Sequence, residues 1–599
     1  MNTKQTTWNL ALLFSGDDDP KMAEDRKMVE EKSYQFIEKW KNKKEYLSDP
    51  ALLAEALSEY EEWQRNYGTD GKEGFYFWLR TSQDNNDPKI KAKFNKISDF
   101  SKKIHNDMMF FELGIAKIPE SEQKRFLEAE ELKDYKHFLE NIFQNAKYLL
   151  SEPEEKILAL KSDTSHSNWV DMTEAFLAKE EREVERKDGK KEIKNFSELL
   201  SLISDKDKKA RDAAAAALND ILEKNADVAE YEINSVLADK KTNDELRKMP
   251  RPDTSRHISD DIDSEVVDVL LDAVTSEFDI AKRFYELKAK LFGVKKLQYH
   301  ERTVPYGKVE KEYSYEEAVD LVHGVFVGLD QKFADIFKEF VEGGHIDVFP
   351  KKGKSSGAFC AYHLPSQPTY LLLNHTGKLR DVTTIAHEVG HGINDEMMKE
   401  KQNALNFGTP MSTAEVASTF MEDFVTQEIL KEADDELRLS LTMSKLDDEI
   451  STIFRQVACY NFEKELHETF RKEGYLSKED IGRIFQKHMS SYMGDFVEMS
   501  EGSQNWWVYW SHIRNFFYVY SYASGLLISK FMQSEVKKDH SFIEKVKDFL
   551  SAGLSDSPKN IFAKMGIDIT DRKFWEEGVK ETEKLLKETE ELARKLGKI

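Results

Sequence analysis

The run His387-Glu388-Val389-Gly390-His391 decides the reading of this chain. Two histidines four apart on a helix project to one side about one turn apart, so both imidazoles can reach one metal ion. The glutamate after the first histidine stands at the edge of that face, where it can hold and deprotonate a metal-bound water. The spacing is the one that zinc-dependent peptide hydrolysis uses.

With 15 histidines in 599 residues, chance delivers this pattern roughly 0.04 times, so an accidental pair of histidines on a surface helix is the weaker reading. The flanks agree. Val382 to Ala386 is uncharged and free of proline, Asp381 is a candidate N-cap, and Gly390 and Gly392 are expected to keep bulk away from the zinc side.

A chain of this length can bury a large core or several. It is 40% hydrophobic and 33% charged, an ordinary soluble profile. The net charge of -24 argues against nucleic acid, whose phosphates it would repel, and against anionic membrane surfaces. Only two cysteines occur, Cys360 and Cys459, so a disulfide framework is not expected and a reducing compartment is. A lone cysteine such as Cys360 is more often a small buried apolar residue than a ligand. The apolar stretch Trp8 to Phe14 is cut short by Asp17-Asp18-Asp19, too soon for a signal segment, and no run approaches the length that spans a bilayer. The expectation is a soluble cytoplasmic protein.

Residues 20 to 245 read almost entirely as amphipathic helices, as in Ala51 to Leu57 and Phe138 to Phe143. The charged segment Lys179 to Lys194 is either a boundary or a solvated helix face. Ala210 to Leu218 is strongly helical, and Lys240 to Asp260, with Pro250 and Pro252, reads as a linker. Sheet is expected in one region, Gly357 to Tyr362 and Thr369 to Asn374. These strands directly precede the metal helix, and an edge strand there can hold an extended peptide by its backbone. The division expected is an N-terminal helical domain over 1–195 and a catalytic domain over 196–599.

Two histidines and a water leave tetrahedral zinc one protein ligand short. Glu415, in Ser412-Thr413-Ala414-Glu415-Val416-Ala417-Ser418, is the best candidate, although Ser412-x-x-Glu415 also fits a capping box that would turn the carboxylate back on its own helix. His363 and His375 flank the strands and read as polar residues at turns. Asp395 and Glu422 are candidates to orient a ligating histidine, against the plainer reading of solvated helix faces. The aromatic segment Trp506 to Gly525 reads first as core, yet His512 and its tyrosines are suitable donors to an oxyanion.

Together these segments resemble the oligoendopeptidase F branch of the thimet-oligopeptidase-like zinc metallopeptidases. The resemblance rests on Gly357-Ala358-Phe359-Cys360, Leu371-Leu372-Leu373-Asn374, Asp381 through His391, Ala414 through Phe420, and Phe517 through Gly525, with Trp8-Asn9-Leu10 and Phe14 at the start. It implies a mainly α, two-lobed fold with a deep channel, a small β-sheet beside the metal helix, and one Zn2+ per chain. It also implies cleavage of internal bonds in short unstructured peptides. Carried over residue by residue, His387, His391 and Glu415 match the zinc ligands, Glu388 the catalytic base, His512 a catalytic histidine, and Tyr518 or Tyr522 the tyrosine that contacts the reacting carbonyl. The chain departs from the pattern at Asn394, where many relatives have histidine, and at Asn515-Phe516-Phe517, which replaces the double-glycine loop of the thimet branch.

A carboxypeptidase or dipeptidyl carboxypeptidase would use the same chemistry but needs a cation for the substrate's terminal carboxylate, for which Arg514 is a candidate. A non-catalytic peptide-binding protein on the same scaffold would predict a broken ligand set or a missing base. The partners expected are short peptides, not nucleic acid or membrane.

Overall fold

A computed structural model describes residues 1–185, 189–307 and 311–599. The fold is mainly α-helical, as the sequence predicts. Two compact units are interleaved along the chain. One comprises Met1–Lys147, Glu310–Lys431 and Met532–Gly566; the other comprises Tyr148–Val309, Glu432–Phe531 and Ile567–Ile599. The position 195/196 is not among these crossing points.

The first unit starts its helices with strong local signals. Asp49 caps the Pro50–Asn66 helix by accepting from the Ala51 and Leu52 amides, and Asp87 does the same for Lys89 and Ile90 ahead of the Pro88–Met108 helix. In both, proline takes the first helical position, where no amide donor is needed. Trp63 of the first of these helices packs with Trp40, Tyr46, Phe111 and Phe126 from neighbouring elements in one core. A second core joins the first residues of the chain to the sheet that precedes the metal helix: Trp8, Phe14, Phe75 and Tyr76 pack with Ala361, Tyr370 and Leu372. Trp8 Nε1 donates to the Leu371 carbonyl at 2.8 Å, and the Tyr370 hydroxyl donates to the Asn9 carbonyl at 3.0 Å. The opening segment therefore braces the sheet that precedes the motif helix.

The strands are short. β1 (Glu181–Glu185) and β2 (Lys191–Asn195) form an antiparallel hairpin. β3 (Leu297–Gln298) pairs in parallel with β7 (Val497–Glu498), while β4 (Ile346–Asp347), β5 (Phe359–Ala361) and β6 (Tyr370–Leu372) form a three-stranded sheet in the order β4-β6-β5. The hairpin corrects the expectation that 20–245 is almost all helix and that sheet occurs in one region only. Its residues are charged on both faces, with Val184 the buried exception, so no apolar alternation announces it.

In the second unit the alanine-rich stretch belongs to a 39-residue helix, Lys208–Leu246, with Ala214, Leu218, Ile221 and Ile233 buried along one side. The segment expected as a linker is largely structured: this helix runs to Leu246 and a short one follows over Thr254–Ser259. Arg251 there bonds Asp253 and Asp268, which fixes the proline-containing turn. Among the described residues no helix is long and apolar enough to cross a membrane, and Cys360 and Cys459 are unpaired.

Candidate metal centre

The helix Leu379–Lys401 carries the motif. Its N-cap is Lys378, not Asp381. Asp381 sits at the third helical position and reaches back, its Oδ2 accepting from the Thr376 amide at 2.6 Å and the Lys378 amide at 3.0 Å. The anchor predicted at this residue is present, built from the other end of the box.

Gly390 and Gly392 serve packing. A methyl group on Gly390 would lie 2.7 Å from Ser418 Cα and 2.8 Å from the Ala417 carbonyl oxygen, so the backbones of the two helices Leu379–Lys401 and Ala414–Lys431 meet directly there. Gly392 faces the Phe340 ring in the same way. The bulk these glycines exclude lies between elements of the fold.

The close approach brings three ligand-bearing side chains together. One ligand atom each from His387, His391 and Glu415 lies within 4.8 Å of the others. Glu415 Oε2 is 3.4 Å from His387 Nε2 and 3.7 Å from His391 Nε2, and it also accepts from the Ser418 hydroxyl at 3.0 Å. All three side chains are half-buried. On the far side of the first imidazole, His387 Nδ1 lies 2.9 Å from Glu422 Oε2. Glu422 is therefore a partner of the ring and not a solvated face. Asp395 is buried as well, but it accepts from the Cys360 thiol, with Sγ 3.4 Å from Oδ2.

Charge explains what the cluster is ready to hold. Burial would depress His387, but Glu415 and Glu422 outweigh it and lift the ring to about 10. His391 is pushed down to about 4 by burial, with His387 adding to the effect. Burial and the two neighbouring carboxylates raise Glu388 to about 7, and the Cys360 amide bonds its carboxylate. Glu415 falls to about 2: burial opposes the shift, and bonds to His387 and the charge of His391 overcome it. No lysine or arginine is among the groups that set these four values. Three carboxylates around two imidazoles, with His387 the one group that takes up positive charge among them, form a site that a divalent cation fits, and the two-nitrogen, one-oxygen donor set suits zinc.

A second group, Asp212, His300 and Glu301, is equally compact but already neutralised. Arg211 Nη2 is 2.7 Å and Lys208 Nζ 3.0 Å from Glu301 Oε1.

The other candidates divide. His363 Nε2 bonds Asp70 at 2.9 Å and is a satisfied polar residue as expected, whereas buried His375 is satisfied at one nitrogen only: Nε2 lies 3.0 Å from the Tyr313 carbonyl and Nδ1 has no partner among the described residues. Asn394 is buried and donates to the Leu550 carbonyl at 2.7 Å, where it ties the metal helix to the Ile543–Ala552 helix. Arg514 is also buried; its guanidinium is held by Glu232 at 2.8 and 2.6 Å and by three backbone carbonyls. It has no face left for a substrate carboxylate.

In the second unit, His512 clusters with two tyrosines, with ring centroids 5.3 Å from Tyr518 and 6.1 Å from Tyr522, which are themselves 5.9 Å apart. Burial, with the charge of Arg455, depresses His512 to about 4, so the ring is neutral at ordinary pH. Phe516 and Phe517 turn the chain with φ of 48° and 59°, a left-handed conformation that costs a non-glycine residue about 1–2 kcal/mol. The Phe517 amide donates to the buried Glu463 at 2.8 Å, and its ring packs on His467 and Tyr460. Helix resumes at Tyr520, so Tyr518 and Tyr522 return to the same side. Tyr520 points elsewhere and donates to Asp260 Oδ2 at 2.7 Å. Glu463 is the residue whose part sequence reasoning did not reveal, since it acts on a partner from another element.

The sequence pattern of Peptidase family M3 matches residues 201–581, and that of Oligopeptidase F matches residues 115–179. A plasmid-encoded Oligoendopeptidase F of Lactococcus lactis subsp. cremoris is 26% identical over 530 residues, covering 87% of each chain. Oligopeptidase PepF of Bacillus subtilis is 25% identical over 538 residues, covering 87% of this chain and 78% of that protein. Among solved structures, a Chlamydophila abortus protein superposes with a TM-score of 0.85 at 22% identity over 98% of both chains. Oligoendopeptidase-F from Enterococcus faecium superposes with a TM-score of 0.72 at 20% identity, over 96% of this chain and 99% of that one. With a motif helix, a compact donor set and a family pattern that spans more than half its length, this chain belongs to peptidase family M3 and is a metallopeptidase of the oligopeptidase type.

Proposed function

We propose that this metallopeptidase holds one zinc ion on His387 Nε2, His391 Nε2 and a carboxylate oxygen of Glu415, and cuts internal bonds of short unstructured peptides. The observation that carries the reading is the approach of these three ligand atoms to within 4.8 Å, in surroundings rich in carboxylate. Zinc, when bound, supplies a Lewis acid that brings water to a pKa of about 7 and draws charge from the scissile carbonyl.

The protein's own groups do the rest. Glu422 occupies Nδ1 of His387 and so commits the opposite nitrogen to the donor set. Glu388, steadied by the Cys360 amide, takes the proton of the attacking water on its carboxylate and returns it to the leaving amine. The edge strand β5 offers backbone groups to an extended substrate. His512, with Tyr518 or Tyr522, donates hydrogen bonds to the oxyanion as charge develops there; family resemblance supports this assignment. The unpaired cysteines suit a reducing compartment, and we assign the enzyme to the cytoplasm.

The test is mass spectrometry of products from a peptide library of graded length, with and without a chelator. Internal cuts that stop above a length limit and disappear on chelation are expected. Release of single or paired terminal residues, or cleavage that survives chelation, would overturn the reading.

A further inference from the structure

Tyr362 and Phe407 are two open aromatic rings beside the catalytic strand, and the role proposed above for Glu388 does not use them. Tyr362 is 42% exposed, and Phe407 is half-buried in the stretch that connects the two ligand-bearing helices. Their rings meet edge to face, with centroids 5.3 Å apart at 76°. Single exposed aromatics are common on protein surfaces. The position of this pair on the sheet gives it meaning.

β5 is the outer strand of its sheet. The Leu371 and Leu373 amides of the neighbouring segment donate to His345 and Asp347 on the β4 side. Tyr370 and Leu372 therefore face β5, opposite Ala361 and Phe359. Backbone groups of Cys360 accordingly turn outward, and Tyr362 is the first residue past the end of β5. The Cys360 amide is spent on Glu388, and Tyr362 follows two residues along, about 6.6 Å away at the rise of an extended chain.

Side chains two apart on a strand share a face. Cys360 uses that face to bond Asp395 on the metal helix, so the Tyr362 ring stands on the same side. Both Cys360 and Asp395 act electrostatically on its hydroxyl. A peptide added to this edge sets its own side chain directly beside that of Tyr362, with Cβ atoms about 5 Å apart.

We propose that Tyr362 and Phe407 form a side-chain subsite for a large apolar residue of the peptide substrate, two positions from the substrate residue that lies opposite Cys360. The inference rests on the reading of Glu388 as the base and of β5 as the substrate strand. It adds a preference that neither reading contains.

The experiment uses zinc-loaded full-length protein and peptides that carry Phe or Ala at each position in turn. Wild type is expected to show a ratio of kcat/KM, Phe over Ala, of about tenfold at one position. That ratio should fall below about threefold in Tyr362→Ala and in Phe407→Ala, and stay near its original value in Tyr362→Phe, which keeps the ring. A ratio unchanged in both alanine variants, or no position with a preference, overturns the subsite. Binding of the same peptides to the Glu388→Gln protein reads the subsite without turnover. Phe-dependent binding that Tyr362→Ala removes, in a protein whose wild type cleaves nothing, would overturn the peptidase reading and leave the subsite standing. Cleavage without any Phe-dependent binding would do the reverse.

Discussion

Glu422 Oε2 lies 2.9 Å from His387 Nδ1, on the side of the ring opposite the nitrogen that faces Glu415. The carboxylate fixes both the tautomer and the orientation of the imidazole, and an imidazole so paired is a better electron donor. Glu422→Ala is expected to weaken zinc binding by about 10- to 100-fold, read by competition with a chromogenic chelator. Unchanged affinity would show that the contact does not tune the ligand.

Purified protein should contain about one zinc per chain, because two imidazoles and one carboxylate leave one place for water. Glu415→Ala removes the only carboxylate of the donor set and should lose stoichiometric zinc by elemental analysis. If the variant retains zinc at the wild-type level, another residue supplies the third bond.

Glu388→Gln should keep its zinc and lose turnover, since the amide still bonds the Cys360 amide but accepts no proton. Zinc content and kcat are measured on one preparation. Hydrolysis within tenfold of wild type would move the base elsewhere.

His512→Ala and Tyr518→Phe or Tyr522→Phe are expected to depress kcat by about a hundredfold where the lost donor served the oxyanion, with KM little changed. Tyr520→Phe should behave differently. It breaks the bond to buried Asp260, so a stability loss of about 1–2 kcal/mol is expected with near-normal turnover. Paired kcat and denaturation measurements separate the two patterns. A catalytic defect in Tyr520→Phe with normal stability would contradict the geometry.

His257 is buried between Tyr460, at 2.9 Å from Nε2, and Ser264, at 2.8 Å from Nδ1. Burial lowers its pKa to about 4, with Arg251 and Arg256 reinforcing the shift and Asp253 and Asp268 opposing it. Below pH 6.5 the unfolded chain binds a proton that the native ring refuses, so its contribution is full above that pH and is lost as pH falls toward 4. His257→Gln should therefore cut the loss of stability between pH 7 and pH 5 by about 1–2 kcal/mol relative to wild type. Denaturant titrations at the two pH values check this, and parallel losses in both proteins would contradict it.

The grouping of His387, His391 and Glu415 was legible because its information is local. Two histidines four apart need only a helix to meet, and Glu415 opens the next long helix. Glu422 was less so, since its partner ring belongs to a neighbouring helix and only packing reveals the pair. The hairpin of β1 and β2 escaped because Glu-Arg-Glu-Val-Glu offers one apolar residue. Its register is set instead by backbone pairing and by contacts such as Lys191 to Glu183 at 2.7 Å. The C-terminal tyrosines were legible as a group but not in arrangement. An extended run would alternate them, whereas the left-handed turn at Phe516 and Phe517 and the helix from Tyr520 place Tyr518 and Tyr522 around one imidazole. Neither turn residue is glycine, so nothing in the sequence announces that conformation.

Gly390 carries a consequence for which ion the enzyme can accept. Because its Cα rests against the backbone at Ala417 and Ser418, the gap between the histidine-bearing helix and the start of the glutamate-bearing helix is a contact distance between main chains. Main chains in contact do not breathe as side chains do, so the aperture has little freedom to widen. An ion held as proposed, by three short protein bonds of about 2.0–2.2 Å, would fit it, whereas calcium, which gathers six to eight oxygens at about 2.3–2.6 Å, would have to push the helices apart. On the proposed ligand set, selection by size would thus rest on a residue that touches no metal.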